Sequence, residues 1–501
     1  MNDLAPSPYY AAIDLGSNSF HMVVAKHSDA GGIDVIDRIK EMVQLNASLD
    51  QNRMITQPGI DRALTCLSRF RQRCSSIPSD HIRTVATDTL RTANNSEQFL
   101  ELAEQALGQR ISVISGHEEA RLVYKGAAFD LAPNNGLRLV VDIGGGSTEM
   151  VIGEGQQPIK LTSLFIGCVS GTRKTMSNGN ITPESMAHMK SLVKREMESI
   201  CLEYKEIGWN EAVGTSGTIK SISAVSRNLG LGEDWIDHNV LSGIEKWILK
   251  HGHSRELIHV SQRRRSVFVA GFLILSCIFE MFSIKKMAIS QGALREGVLC
   301  ELVGRLHDED SRMAGIDALM SRFDLDRLQY KRVAAFARYL FINAKPWGLR
   351  DPDDWNLLEW ASQLHEIGFA VSHNQHHRHG AYIIENSDID GFTREEQTIL
   401  ALLVFCHRQK LSPEVLDRVP EHRRPQFILL LVLLRLSVAV HRGRVDTQEA
   451  AFSISVFQNG IDISVSTSWA EAHPLTLFDL QTEINYLEVM GLYLSVTVEA
   501  N

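Results

Sequence analysis

Tyr10-Ala-Ala-Ile-Asp14-Leu-Gly-Ser-Asn-Ser19-Phe-His-Met-Val-Val-Ala25 is the stretch that decides the fold. β-forming residues flank a short polar turn on both sides, which predicts a hairpin and not a strand feeding a helix. The arrangement returns 128 residues later as Leu139-Val-Val-Asp142-Ile-Gly-Gly-Gly-Ser-Thr148-Glu-Met-Val-Ile152. Two hairpins with matched Asp–turn–Ser order predict two related lobes facing each other, a duplication at domain scale and not a short-period solenoid. Helical periodicity follows each hairpin, at 60–73, 96–107, 186–204 and 240–250, so both lobes read as α/β.

Small residues in such turns leave several backbone N–H groups uncovered, and Ser and Thr hydroxyls add donors, so each turn can cradle a phosphate. The first turn offers Gly16, Ser17, Asn18 and Ser19, and the second offers Gly144, Gly145, Gly146, Ser147 and Thr148. An Asp ending the incoming strand, Asp14 or Asp142, can hold a divalent cation directly or through water. A third glycine turn, with Gly214, Ser216 and Gly217, precedes a helix whose N-terminus could meet the same anion. The chain has no GxxxxGK[ST] string. Residues after the second turn are β-like, which argues against a dinucleotide fingerprint.

With 501 residues the chain exceeds what a single core supports. A composition of 44% hydrophobic and 22% charged residues excludes disordered, collagen-like and disulfide-framework classes. The formal net charge of −9 is uneven. Eight of the 60 acids lie after Arg444, where there is no Lys or Arg, leaving 52 acids against 51 bases in residues 1–444. Seven scattered cysteines without a CxxC pair fit a reducing compartment. No signal peptide is visible, and the apolar stretches 267–282 and 427–440 are too short for a spanning helix and read as core. The expected organisation is a first lobe over 1–125 and a second over 126–305. A helical domain over 306–445 and an acidic, antiparallel β tail over 446–501 follow, the tail's charge keeping it from anionic substrates.

Ala12-Ile-Asp-Leu-Gly-Ser-Asn-Ser-Phe20, Thr87-Asp-Thr-Leu-Arg91, Ile114-Ser-Gly-His-Glu-Glu-Ala-Arg121, Val141-Asp-Ile-Gly-Gly-Gly-Ser-Thr-Glu149, Gly214-Thr-Ser-Gly217 and Gly292-Ala-Leu-Arg-Glu-Gly297 resemble the exopolyphosphatase/guanosine pentaphosphate phosphohydrolase family. The resemblance implies two actin-like (ribonuclease H-like) lobes around a cleft, then an HD-like helical domain and a small β-rich domain. It implies phosphoanhydride hydrolysis with Mg²⁺. Glu119 would be the general base, Asp142 and Glu149 would hold metal and water, Asp14 would be a further metal ligand, and Arg91 would contact phosphate. The Gly292–Gly297 segment reads as packing that closes the second lobe under the cleft, with Arg295 a candidate functional residue.

Asn386-Ser-Asp-Ile-Asp-Gly-Phe392 and the histidines at 373–379 and 407 favour the exopolyphosphatase branch, releasing orthophosphate from polyphosphate processively. Hydrolysis of guanosine pentaphosphate to the tetraphosphate is the alternative. Leu364-His365-Glu366-Ile367-Gly368 resembles the His-Asp core of HD phosphohydrolases, but Glu366 replaces the Asp and no upstream His is in place, which disfavours a metal there. Arg263, Arg264 and Arg265, His377, Arg378 and His379, His407 and Arg408, and Arg423 and Arg424 are expected instead to track a polyphosphate chain. The expected partners are inorganic polyphosphate or guanosine pentaphosphate and a second copy in a homodimer, with no nucleic acid. The expected location is cytoplasmic, with room for peripheral attachment at the inner face of the membrane.

Overall fold

The computed structural model describes residues 9–27, 33–131, 136–232, 235–306, 310–349, 352–447, 449–457 and 460–499. It forms two compact units, residues 1–311 and 312–501.

In the first unit, β1 (Tyr9–Leu15), β2 (Phe20–His27), β3 (Ile33–Glu41), β4 (Ile82–Ala86) and β5 (Ser112–Val113) build a sheet in the order β3-β2-β1-β4-β5. A second sheet contains β6 (Leu137–Ile143), β7 (Thr148–Glu154), β8 (Gln157–Leu164), β9 (Glu211–Thr215), β10 (Ile236–Asp237) and β11 (Lys286–Ile289) in the order β10-β11-β9-β6-β7-β8. In both, an antiparallel meander is extended by parallel strands, so β6, β7, β8, β9 and β11 repeat β1, β2, β3, β4 and β5. The duplication seen in the hairpins thus extends to whole sheets.

Register decides what faces the cleft. Asp14 pairs with His21 across β1–β2, and His21 pairs with Lys40 across β2–β3, one row of three side chains. The second sheet has the equivalent row Thr215, Asp142, Glu149 and Ser163.

The drawn lobe boundary at 125 falls inside the helix Gly116–Asp130, which Ser115 caps by accepting from the Glu118 N–H. The helix Leu294–Leu306, expected to close the second lobe, packs instead on this helix and on β1, with Leu294 and Val298 in a core shared by Tyr10, Val85, Val140 and Val213. A Cβ on Gly297 would overlap the carbonyl of Leu122, and one on Gly126 would overlap that of Ala293, so the two helices touch backbone to backbone. Buried Glu301 fixes the crossing by bonding Arg121 at 3.0 Å and Lys125 at 2.8 Å, and these cations hold its carboxyl well below the usual range although burial opposes them. One described helix, Arg265–Phe282, is long and apolar enough to cross a membrane, yet Phe268, Phe272, Leu275, Phe279 and Phe282 fill the second lobe's core.

The second unit packs the helices Arg327–Asn343, Pro352–Leu364, His376–Asn386, Arg394–Cys406 and Arg424–Val440 with β12 (Phe452–Phe457), β13 (Gly460–Ser466) and β14 (Tyr493–Glu499). The tail was expected to be an antiparallel sheet, and the sheet is mixed, with β12 and β13 antiparallel. β13 and β14 are parallel, because the helix Pro474–Glu488 carries the chain back between them. Phe452 stacks edge-on against Phe336 at 4.9 Å, in one continuous core with the helices. The tail's acids are in part counter-charges for helical arginines, as in Arg435–Glu483 at 2.6 Å and Arg332–Asp446 at 2.6 Å.

Candidate functional site

The two glycine turns meet across the cleft. A Cβ on Gly145 would lie 3.0 Å from the Ser17 Cβ, and one on Gly146 would overlap the Asp88 carboxylate, so no larger residue lets the turns approach this way. Between them is a cavity of about 120 Å³ lined by Gly16, Ser17, Asn18, Ser19, Gly144, Gly145, Gly146, Ser147, Ser216 and Gly217, together with Asp14, Glu119, Asp142 and Glu149. That volume holds a phosphoryl group and water but is well below the several hundred Å³ of pockets that enclose whole small-molecule ligands.

Three predicted residues have other roles. Gly214 is within β9, where it makes room for Ile219 and Met287. Thr148 is buried, and its hydroxyl donates to the Ile166 carbonyl at 2.6 Å. Arg91 does not line the cavity. Its Nη1 donates to Glu119 Oε2 at 2.8 Å and to the Ile114 carbonyl at 3.0 Å.

Three buried carboxylates, Glu119, Asp142 and Glu149, and the half-buried Asp14 line the cavity. Burial first, then Glu119, pushes Asp14 up to about 8 and Asp142 to about 6. Glu149 rises well above its ordinary value through burial, Glu119 and Asp142, while Ser163 donates to it at 2.9 Å. Burial also raises Glu119, against the pull of Arg91. Asp14 Oδ1 is buried with no hydrogen-bond partner. An orphaned oxygen among mutually repelling carboxylates suits a cation near Asp14, Asp142 and Glu149. Among the described residues no group of three His, Cys, Asp or Glu side chains is arranged to hold a metal by itself, so an ion there would need water or phosphate oxygens as further ligands.

Lys40, Arg264 and Arg295 line the same cavity, together with His21. Burial, then Arg264, Arg295 and Lys220, pushes Lys40 down to about 8, a sign of positive charges gathered without enough counter-charge. Arg264 was expected on a tracking surface and Arg295 as a candidate functional residue under the cleft, whereas His21 and Lys40 were not predicted. The duplication held a signal for one of them. His21 occupies the place in the first hairpin that Glu149 occupies in the second, seven residues after the Asp.

The other expected tracking residues do not form a cationic track. Arg263 is exposed, while Arg265 donates to the Val260 and Arg255 carbonyls. His377 and His407 are buried and packed with His365 and His376, ring centroids 5.6 to 6.4 Å apart. Burial pushes His376 and His377 down to about 4 and His407 well below its ordinary value, so these rings are neutral core. Arg408 leans on His376, Arg423 faces Glu395 at 3.9 Å, and Arg424 donates to the Val419 carbonyl. Arg378 is exposed and His379 half-buried.

The sequence profile of the Ppx/GppA phosphatase family matches residues 23–306, and that of the family's domain III matches residues 311–484. The chain belongs to this family. As a Ppx/GppA phosphatase it hydrolyses phosphoanhydride bonds. A guanosine-5'-triphosphate,3'-diphosphate pyrophosphatase of Vibrio parahaemolyticus is 36% identical over 99% of this chain and 100% of its own. A pyrophosphatase of the same name from Aeromonas hydrophila is 34% identical over 97% of this chain and 98% of its own. The solved Ppx/GppA family member of Aquifex aeolicus covers 60% of the chain and 98% of its own at 26% identity and TM-score 0.50. An exopolyphosphatase of Cytophaga hutchinsonii shares the fold, at 19% identity and TM-score 0.54 over 60% of this chain and 98% of its own. The relatives' names favour the nucleotide alternative over the expected polyphosphate branch.

Proposed function

We propose that this Ppx/GppA phosphatase removes the terminal 5′-phosphate of guanosine pentaphosphate, giving the tetraphosphate and orthophosphate. The observation that carries the reading is one small cavity lined both by carboxylates, Asp14, Glu119, Asp142 and Glu149, and by cations, Lys40, Arg264 and Arg295. It can hold a reacting phosphoryl group and meet further negative charge beside it. The choice of the nucleotide is supported by the near full-length relatives, and by the burial of the histidines that would have tracked polyphosphate.

In this reading the terminal phosphoryl group lies between the two turns, whose N–H groups and hydroxyls donate to its oxygens. Glu119, held by Arg91 and Thr87, accepts the proton of the attacking water. Mg²⁺, when bound by Asp14, Asp142 and Glu149, supplies positive charge to the phosphate oxygens. Lys40, Lys220, Arg264 and Arg295 offset charge on the rest of the substrate. The cavity is too small for the nucleoside, which therefore remains outside it.

The test is orthophosphate release from guanosine pentaphosphate and from long-chain polyphosphate, each with and without Mg²⁺. Faster turnover of the nucleotide supports the proposal, and a strong preference for polyphosphate overturns it. Glu119→Gln should reduce turnover by roughly 10²- to 10⁴-fold, the range of one general base.

A further inference from the structure

We infer that His21 is a positioning residue, held in one tautomer by Arg295, that turns the Ser19 hydroxyl into a proton donor aimed at the bound phosphoryl group. The inference rests on the hydrolase reading for its consequence, but its geometry stands alone.

His21 Nδ1 lies 3.3 Å from Arg295 Nη1, and His21 Nε2 lies 2.7 Å from Ser19 Oγ. A guanidinium has donors only, so Nδ1 must accept. An imidazolium would carry N–H groups at both nitrogens and oppose the Arg295 donor, so the ring facing it is neutral. A neutral imidazole that accepts at Nδ1 carries its proton on Nε2, so Nε2–H donates to Ser19 Oγ. Ser19 thereby receives one hydrogen bond and keeps its own proton free. Its side chain is buried, lines the cavity, and has no other hydrogen-bond partner among the described residues. The acceptor that remains is an oxygen of the ligand in the cavity.

This tautomer also excludes a tempting alternative. A Ser–His pair at 2.7 Å resembles an activated nucleophile, but a nitrogen that already carries a proton cannot take one from the hydroxyl. Ser19 is therefore a donor to substrate and forms no covalent intermediate.

The relay is anchored from behind. Arg295 Nε forms an ion pair with Glu296 Oε1 at 3.0 Å, and Glu296 Oε2 accepts the Ala293 N–H at 2.9 Å at the start of the helix Leu294–Leu306. The duplicated hairpin explains the division of labour. At the position of His21 the second hairpin has Glu149, which accepts from the Ser163 hydroxyl. One turn thus presents a donor relay to phosphate and the other presents an acceptor to water or metal.

Two measurements test the assignment. In ¹⁵N-histidine spectra of the full-length protein at pH 7.5, with the resonance assigned through His21→Gln, the ring should be neutral and protonated on Nε2. A proton on Nδ1, or an imidazolium, overturns the proposal whatever the substrate is. In a double-mutant cycle on kcat/KM with guanosine pentaphosphate or polyphosphate, His21→Leu should cost about 10- to 100-fold when Ser19 is present, the range of one charge-assisted hydrogen bond. In the Ser19→Ala background the same change should cost no more than about 3-fold. His21→Gln, whose amide can donate from the Nε2 position, should restore most of the loss. An undiminished His21→Leu effect without Ser19 would refute the relay. If the wild type hydrolyses neither substrate, the proposed function fails, while the nitrogen spectra still decide the tautomer.

Discussion

Replacing Arg91 with Met should move the acid limb of the pH–rate profile upward, because Arg91 acts on Glu119 and not on phosphate. Both side chains are almost fully buried, 6% and 10% exposed, and 2.8 Å apart. Removing one partner of such a pair costs about 3–5 kcal/mol, since the other charge stays buried and uncompensated. Taking the lower figure at about 1.4 kcal/mol per pH unit, the Glu119 carboxyl should rise by about two units. The ionised form is the base, so a raised pKa means that a higher pH is needed for activity. On the acid limb the variant should be about 100-fold slower than the wild type, and the two should converge in alkaline solution. Arg91→Lys keeps the charge but weakens the second bond to the Ile114 carbonyl, so its shift should be smaller. The assay is kcat/KM for orthophosphate release from about pH 5 to 10. A phosphate-contacting arginine would give a raised KM at every pH and an unshifted limb, and that result would refute the reasoning.

Gly297→Ala should destabilise the first unit by about 2–3 kcal/mol in denaturant titration, because the added Cβ meets the Leu122 carbonyl, which cannot rotate away. The second unit should lose stability in mild acid. Its buried His376 and His377 titrate near 4 when folded and near 6.5 when unfolded, so the unfolded chain binds more protons between those values. Stability is full above the unfolded pKa and falls as pH drops toward the folded one, by up to about 1 kcal/mol per ring from pH 7.5 to 5.5. Hydrogen exchange at the two pH values reads this, and equal protection at both would contradict it. Arg435→Met should destabilise the second unit by about 3–5 kcal/mol in urea titration, and pairing it with Glu483→Met should recover most of that, since a buried pair suffers chiefly when halved.

The fold was legible because it is written in local pattern. Each hairpin needs only β-formers on both sides of a small polar turn, and a duplicated lobe repeats that pattern at a fixed distance. The pair Glu118–Glu119 was legible after a serine and a glycine at the start of a helix, and the family resemblance singled out Glu119, which lines the cavity. The second unit was misread at its histidines. A run such as His376-His377-Arg378-His379 looks cationic in one dimension, but helical geometry turns the first two rings inward, where burial strips their charge. Arg91 was placed near the chemistry, but its pairing with Glu119 was not legible, because its sequence neighbours say nothing of a carboxylate 28 positions away.

By itself, the sequence determined the two α/β lobes, the phosphate-cradling turns and three carboxylates around them, since these depend on short-range spacing. It also suggested a helical region with a β tail. The tertiary structure alone decided which charges share the cavity. Lys40 comes beside His21 through strand register, Arg264 and Arg295 arrive from helix starts more than 200 residues away, and Arg295 in turn fixes the proton on His21. The electrostatics of a buried site depend on distance and desolvation, and neither is a property of neighbours along the chain.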